Sequence, residues 1–308
     1  MTNIYQIIAS AMVFVLSFSL SQACEVYGPD AKPVTPDQSK PDLEWIIFDV
    51  GGVLAYDLGA PVREYLNDKY QPYIKSPSDL NLGRREVDLG EHADLFYWHI
   101  ALLDAGVPFE VIRKDKNWKN WEKTLIKMIL KGPKNKDLCN NEIIDVAKSL
   151  KEQGYHIAIL SDDSREMSRA RRQACGFNTV FDDDVFGDGD GHIFISSEVA
   201  PLHQYDLAYK KPQKGIYLYT LDHLGIADPS KALFIDNKIQ NLLPNPDILD
   251  FDNPLHAQTG SSGVGMYSMH FVGQNKGEKG YLPVGHPNNE TKQDLQQCLA
   301  KIGVRYEK

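Results

Sequence analysis

The regular alternation of short apolar runs with helical segments in the second half of the chain most constrains the fold. The runs HIAILS and KALFID are short enough for buried strands, and the helical patterns NEIIDVAKSLKEQG and QKGIYLYTLDHLG precede them. Helices of this length between buried strands indicate βαβ units and a parallel sheet. An earlier apolar run, WIIFD at residues 45–49, fits the same sheet. We therefore predict an α/β fold.

Other segments extend this pattern. We predict a helix at SREMSRARRQACG, a strand at TVFDDDVF, a later strand at GVGMYSMHF and a closing helix at ETKQDLQQCLAKIG. The acidic run FDDDVFGDGDGHIF lacks the glutamate that a calcium-binding EF-hand loop requires at its twelfth position. Its Asp-Gly pairs between apolar runs favour a β-hairpin instead.

The first half of the chain has a different pattern. Residues 60–140 lack the alternation typical of strands and contain two clear helical segments, HADLFYWHIALLDAG and NWKNWEKTLIKMILKG, which both end at a glycine. We expect residues 60–140 to form an inserted helical domain. Residues 43–59 and 141–308 would then form the core domain.

The amino terminus has the features of a secretory signal. The first 24 residues carry no charged side chain, and their apolar run at residues 7–20 is shorter than the roughly 20 residues of a membrane span. A small-x-small cleavage site follows at residues 21–23. We predict a signal peptide over residues 1–23 that is cleaved after Ala23, a secreted or periplasmic location, and no stable membrane insertion after cleavage. An uncleaved membrane anchor is the alternative.

The next segment, residues 24–42, is rich in Pro, Asp and Lys and has no apolar periodicity. This composition predicts an extended linker. The folded domain would therefore begin near Leu43.

Charge and cysteine content exclude some classes of protein. A formal net charge of -9 disfavours a nucleic-acid binder, because phosphate affinity depends on clustered Lys and Arg. The cysteines lie far apart without C-x-x-C spacing, so no zinc site is predicted. In an exported protein they allow one or two disulfides, but the sequence leaves the pairing open. The four are Cys24, Cys139, Cys175 and Cys298.

Chemically active side chains follow the predicted strands. Asp49 follows WIIF, Ser161 ends HIAILS, Asp236 ends ALFID, and Lys211 precedes a helix. The carboxyl ends of parallel strands meet at one edge of a sheet, so these side chains should converge on one crevice. An acid nucleophile, a second acid for a cation such as Mg²⁺, and two donors suit phosphoryl transfer.

These motifs, in this order from residue 45 to residue 241, resemble those of the haloacid dehalogenase-like (HAD) hydrolases. The resemblance is to the branch with an FDxGGVL first motif and a helical cap domain inserted after it. It implies a Rossmannoid parallel sheet and a Mg²⁺-dependent phosphatase that hydrolyses a small phosphorylated metabolite through an aspartyl-phosphate. It also makes Asp49 the nucleophile, and Ser161 and Lys211 the phosphate-binding pair.

The resemblance further implies a metal site and a set of substrate contacts. Mg²⁺ would be held by Asp49, the Gly51 carbonyl, Asp236 and Asn237. Substrate contacts are expected from Ser161, Asp162, Lys211, Gly52 and Asp57.

Two positions depart from the family pattern. Gly51 stands where most phosphatases of the family carry a second Asp as general acid and base, and Asn237 stands where a second acidic residue is usual. Asp57 is a candidate substitute for the missing acid. These departures leave two alternatives open, namely a metal-independent dehalogenase and a catalytically silent binding protein with this fold.

Overall fold

The structure is a computed structural model. It describes residues 24–35, 40–55, 59–74, 80, 84–115, 123–124, 127, 138–182, 191–245, 253–271 and 289–304. Of the two clear helical segments predicted early in the chain, the first is observed. The second, NWKNWEKTLIKMILKG, lies almost entirely outside the described residues.

A mostly parallel sheet forms the centre of the fold. The strands in the described part of the chain are β1 (Cys24–Tyr27), β2 (Trp45–Phe48), β3 (His156–Ser161), β4 (Ile193–Ile195), β5 (Ala232–Asp236) and β6 (Tyr267–Phe271). Their spatial order is β1-β6-β5-β2-β3-β4. Four of the strand pairs among the described residues are parallel, and the fifth, between β1 and β6, is antiparallel. The prediction of an α/β fold is confirmed.

Helices connect and cover the strands. Those within or bordering the segment predicted to be helical are α1 (Gly59–Tyr70), α2 (Arg84–Asp88), α3 (Asp94–Asp104) and α4 (Phe109–Lys114). The later ones are α5 (Asn141–Glu152), α6 (Arg165–Cys175), α7 (Phe177–Val180), α8 (Ser196–Val199), α9 (Lys214–His223) and α10 (Asn289–Lys301). The division into cap and core domains stays a prediction. Within the described residues, no helix has the length and apolar character needed to cross a membrane.

Both faces of the sheet are buried, which explains why its strands are continuous apolar runs. In β2, Ile46 and Phe48 pack on one face with residues of α5 and α10, whereas Ile47 packs on the other face with residues of α9. All three side chains have no exposed surface. Successive side chains of a strand point to opposite faces, so one apolar run supplies both cores.

The predicted strand at TVFDDDVF is wrong for its first residues, which belong to α7. Phe177 and Phe181 are one helical turn apart, both are fully buried, and their rings meet edge to face. Burying this pair requires helical spacing rather than strand alternation. The first arm of the predicted hairpin is therefore wrong, and its acidic centre at residues 183–190 lies outside the described residues. The next strand, β4, instead pairs with β3 in the parallel direction.

The prediction of a linker over residues 24–42 is wrong for its first four residues. They form β1, which pairs with β6 along its full length. Cys24 is buried and forms a disulfide with Cys298 of α10. The disulfide bond and the strand pairing hold this segment in the fold, although its composition alone predicts no regular structure.

A second disulfide joins Cys139 to Cys175, so all the cysteines are paired. Cys175 is the last residue of α6, and Cys139 forms an isolated bridge with Ala55 shortly after the first motif. The bond therefore ties the chain just before the helix at Asn141–Glu152 to the helix that begins shortly after Ser161.

Replacing both Cys139 and Cys175 by alanine should lower the free energy of unfolding by about 3 to 4 kcal/mol. The bond closes a loop of 36 residues. Without the bond the unfolded chain regains the conformational entropy of this loop, and for a loop of this length that entropy corresponds to the predicted loss of stability. Denaturant unfolding of the two proteins under non-reducing conditions measures the difference. Equal midpoints and slopes for the variant and the wild type would contradict the prediction.

Candidate active site

The register of the central strands brings the two acidic motifs side by side. Phe48 of β2 pairs with Ile235 of β5 on one side and with Ile159 of β3 on the other. The next residue along β2, Asp49, is therefore level with Asp236, and its backbone N–H donates to the Ile235 carbonyl at 2.9 Å. The sequence prediction that these carboxylates meet at one sheet edge agrees with this register.

The ammonium of Lys211 lies between the two carboxylates. Its Nζ donates to Asp49 Oδ1 at 2.7 Å and to Asp236 Oδ2 at 2.8 Å, and it lies 3.4 Å from the Leu160 carbonyl oxygen. Ser161 Oγ donates to the same Asp49 oxygen at 2.9 Å. Each of these four side chains is at most 5% exposed. The structure therefore brings together Asp49, Ser161, Lys211 and Asp236.

Burial and charge act against each other in this cluster. Burial by itself lowers the pKa of the Lys211 ammonium, but the carboxylates of Asp236 and Asp49 outweigh it and raise that pKa above its ordinary value. Lys211 therefore stays charged. Burial raises the pKa of the Asp49 carboxyl, while Lys211 opposes the shift and Asp236 adds to it.

The helix that follows Ser161 begins in a well-formed cap. Ser164 precedes α6, and its Oγ accepts the backbone N–H of Met167 at 3.2 Å. The helix ends before Gly176, which adopts the left-handed conformation. The positive end of the α6 dipole is thus placed next to Ser161, where it favours bound anions.

Two residues expected to contact the substrate also make hydrogen bonds within the protein. The carboxylate of Asp162 accepts the backbone N–H of Lys211 at 3.0 Å and lies 3.8 Å from the Lys210 ammonium. Gly52 donates its N–H to the Ala55 carbonyl at 2.8 Å and has a φ of +96°, a conformation that favours glycine. These contacts hold the Asp162 carboxylate against the Lys211 backbone and fix the turn after Asp49, and a substrate role for either residue stays a prediction. Asp57 lies outside the described residues.

An arginine lies beside Gly51, where the family pattern has an acid. The guanidinium Nη1 of Arg171 is 3.9 Å from the position that a Cβ on Gly51 would take. Arg171 is buried and forms an ion pair with the buried Asp163 at 3.0 Å. Sequence reasoning assigned no role to either residue, because they are eight residues apart, beyond the i,i+3 and i,i+4 spacings that indicate a helical charge pair.

A network of donors surrounds Asp236. Its Oδ2 accepts Asn241 Nδ2 at 2.9 Å, and its Oδ1 accepts the backbone N–H of Lys238 at 2.8 Å. Sequence reasoning did not assign a role to Asn241, although an amide five residues after a strand-end acid is a recognisable signal. The Oδ1 atom of Asn237 is buried and has no hydrogen-bond partner among the described residues.

The cluster offers oxygen ligands of the kind that Mg²⁺ prefers. The described residues contain no group of three or more His, Cys, Asp and Glu side chains arranged to hold a metal ion. The candidate oxygen ligands for a cation are instead the carboxylates of Asp49 and Asp236 and the unpartnered amide oxygen of Asn237. A hard cation fits this set, because it binds carboxylate, amide and backbone carbonyl oxygens.

A comparison with known protein families agrees with these motifs. The family model of the haloacid dehalogenase-like hydrolases matches residues 43–243. The chain belongs to this family. The resemblance seen in the motifs and the expectation of a hydrolase are thereby confirmed.

The chain also matches solved structures at low sequence identity. A dehalogenase is 19% identical and covers 84% of this chain and 97% of its own, with a TM-score of 0.47. A HAD family enzyme from Bacteroides thetaiotaomicron in complex with magnesium and inorganic phosphate is 15% identical, with coverages of 64% and 85% and a TM-score of 0.39. CbbY from Rhodobacter sphaeroides in complex with phosphate is 17% identical, with coverages of 73% and 84% and a TM-score of 0.42. No curated protein matches the chain.

Proposed function

We propose that this HAD-like hydrolase is a Mg²⁺-dependent phosphatase that hydrolyses a small phosphorylated metabolite through an aspartyl-phosphate on Asp49. The observation that carries the proposal is the buried arrangement of Asp49, Lys211 and Asp236, with Ser161 bonded to the same Asp49 oxygen. The arrangement places a nucleophile (Asp49), the Lys211 ammonium and the Ser161 hydroxyl at the carboxyl edge of a parallel sheet. Open α/β sheets bind their ligands at this edge.

Each group has a defined part in the reaction. A carboxylate oxygen of Asp49 attacks phosphorus, and the bond from phosphorus to the leaving-group oxygen breaks as the aspartyl-phosphate forms. Water then cleaves this acyl phosphate, which releases inorganic phosphate and restores the carboxylate. Lys211 and Ser161 stabilise the negative charge on the phosphoryl oxygens.

The metal would be held by Asp49, Asp236, the Gly51 carbonyl and Asn237. When bound, Mg²⁺ neutralises part of the phosphoryl charge. The unpartnered Asn237 oxygen and the two buried carboxylates support this assignment.

Helices α1–α4 belong to the segment that we propose as a cap domain, which would close over the substrate and exclude water.

Hydrolysis of p-nitrophenyl phosphate tests the proposal. We expect phosphate release that depends on Mg²⁺ and is lost in the presence of a chelator. Release of halide from a 2-haloacid without added metal would instead support a dehalogenase. A protein that catalyses neither reaction would be a binding protein with this fold.

Gly51 leads to a prediction about leaving groups. Without a carboxylic acid two residues after the nucleophile, an alkoxide would depart unprotonated, so activated phosphates with phenolate, acyl or anomeric leaving groups should be preferred. General acid catalysis is typically worth about 10² to 10⁴ in rate, so the difference is measurable. A plot of log kcat/KM against leaving-group pKa for aryl and alkyl phosphates should have a steep negative slope. A shallow slope would indicate that another acid protonates the leaving group, and Asp57→Asn should then steepen it.

We also propose that the protein is exported, by cleavage after Ala23, to a secreted or periplasmic location. The two disulfides support an oxidising compartment, because such bonds are rare in the cytosol. Amino-terminal sequencing of the protein from its native host should yield Cys24 as the first residue. Intact Met1 or Thr2 on soluble cytosolic protein would contradict export, and an intact membrane-bound form would support an anchor instead.

A further inference from the structure

Helix α2 of the proposed cap segment is docked against the core beside β4. The backbone carbonyl of Asp88, its last residue, accepts Ser196 Oγ at 2.6 Å. Gly90 has a φ of +76°, and a Cβ there would lie 2.4 Å from the Ser197 carbonyl oxygen. The backbones therefore approach so closely that a side chain at residue 90 would force them apart. This contact fixes where the Asp88 carboxylate lies.

The Asp88 carboxylate forms an ion pair with Lys210, the residue directly before the phosphate-binding Lys211. The Asp88 side chain is 6% exposed and that of Lys210 is 21% exposed, so solvent screens the pair only in part. On its other side, the Lys210 ammonium lies 3.8 Å from Asp162 Oδ2. Lys210 is thus the cation between two carboxylates, one from the cap segment and one from the core.

Asp162 connects this pair to the catalytic cluster. While Oδ2 faces Lys210, Oδ1 accepts the backbone N–H of Lys211 at 3.0 Å. The side chain of Lys211 then reaches Asp49. A continuous series of polar contacts therefore runs from helix α2 through Lys210, Asp162 and Lys211 to the proposed nucleophile.

We propose that Asp88 is a positioning residue for Lys211, and this inference rests on the proposed function of Lys211. Asp88 holds Lys210 at a distance from Asp162 and leaves the second carboxylate free to orient the Lys211 backbone. Without the Asp88 charge, Lys210 would move onto Asp162 and draw that carboxylate away from the Lys211 N–H. The reactive lysine would then lose its fixed position.

Kinetics of Asp88→Asn test the proposal, with Asp115→Asn as the matched control. Asp115 also borders the helical segment, is 8% exposed and pairs with Lys69, which is 25% exposed. We expect Asp88→Asn to lower kcat for p-nitrophenyl phosphate by about 10-fold to 100-fold with a smaller change in KM, because misplacement of a catalytic group acts mainly on the transition state. The control should keep kcat within about twofold, since Asp115 forms its ion pair with Lys69 of α1.

A double-mutant cycle identifies the route of the effect. If Asp88 acts through Lys210, the effects of the two substitutions are coupled and do not add. The kcat of the double variant, Asp88→Asn with Lys210→Gln, should then be about equal to or higher than that of the slower single variant. Independent, multiplying effects would overturn the proposal. Asp88→Glu should recover part of the lost rate, and the recovery separates loss of charge from loss of folding.

Hydrogen exchange at the Lys211 amide gives a result that does not depend on catalysis. Exchange should be faster by about tenfold in Asp88→Asn than in the wild type and unchanged in Asp115→Asn, because an opened hydrogen bond exposes the amide. Unchanged exchange at Lys211 overturns the positioning role. If the wild type hydrolyses no phosphate ester, the proposed function fails, but this measurement still decides whether Asp88 positions Lys211.

Discussion

Replacing Asp49 by asparagine is expected to lower kcat for phosphate-ester hydrolysis by at least about 10³-fold, because loss of a covalent nucleophile removes the main reaction path. The amide is nearly the same size as the carboxylate and can still accept hydrogen bonds from Ser161 and Lys211. Steady-state rates at saturating Mg²⁺ and substrate measure the effect.

The design of this experiment separates chemistry from folding. Circular dichroism and the unfolding midpoint should show that Asp49→Asn remains folded. Ser161→Ala, which removes a donor to the same oxygen but leaves the nucleophile, should retain more activity than Asp49→Asn. Wild-type activity in Asp49→Asn would rule out the covalent mechanism.

Replacing Lys211 by methionine should lower the free energy of unfolding by about 3 to 5 kcal/mol, because it leaves two buried carboxylates without their cation. Asp49 and Asp236 are 4% and 0% exposed, and Lys211 is their shared ion-pair partner. Activity should also be lost, since the phosphoryl charge is no longer neutralised. Thermal or denaturant unfolding measures the loss of stability.

Mg²⁺ provides a second measurement on the same variant. If Asp49 and Asp236 hold the metal, Mg²⁺ should raise the unfolding midpoint of Lys211→Met more than that of the wild type, because a bound cation stabilises the folded state by mass action. Lys151→Met is a suitable control, since Lys151 pairs with the exposed Asp182 away from the site. Equal Mg²⁺ responses in all three proteins would contradict the assignment of the metal ligands.

Several parts of the fold were predictable because their signals are local. The strands β2, β3 and β5 are apolar runs buried on both faces, and each ends close to a polar motif. Parallel strands share one carboxyl edge, so the convergence of Asp49 and Asp236 followed from the pattern alone. The helical character of α3 and α5 followed from their apolar spacing.

Other parts depended on partners that are distant in the chain. The pairing of Cys24 with Cys298 spans 274 residues and accompanies a strand in a segment that looked like a linker. The helix α7 replaced a predicted strand because Phe177 and Phe181 bury together. Local composition carries no information about these partners.

The sequence by itself determined the α/β fold, the family and which polar side chains follow the strands, because apolar periodicity and strand-end motifs are encoded in neighbouring residues. Only the tertiary structure decided how those side chains are used. It assigned Asp162 to the Lys211 backbone, brought Arg171 beside Gly51, and connected Asp88 with Lys210. These contacts depend on distances between residues that are far apart in the chain, and such distances exist only once the sheet and its helices have packed.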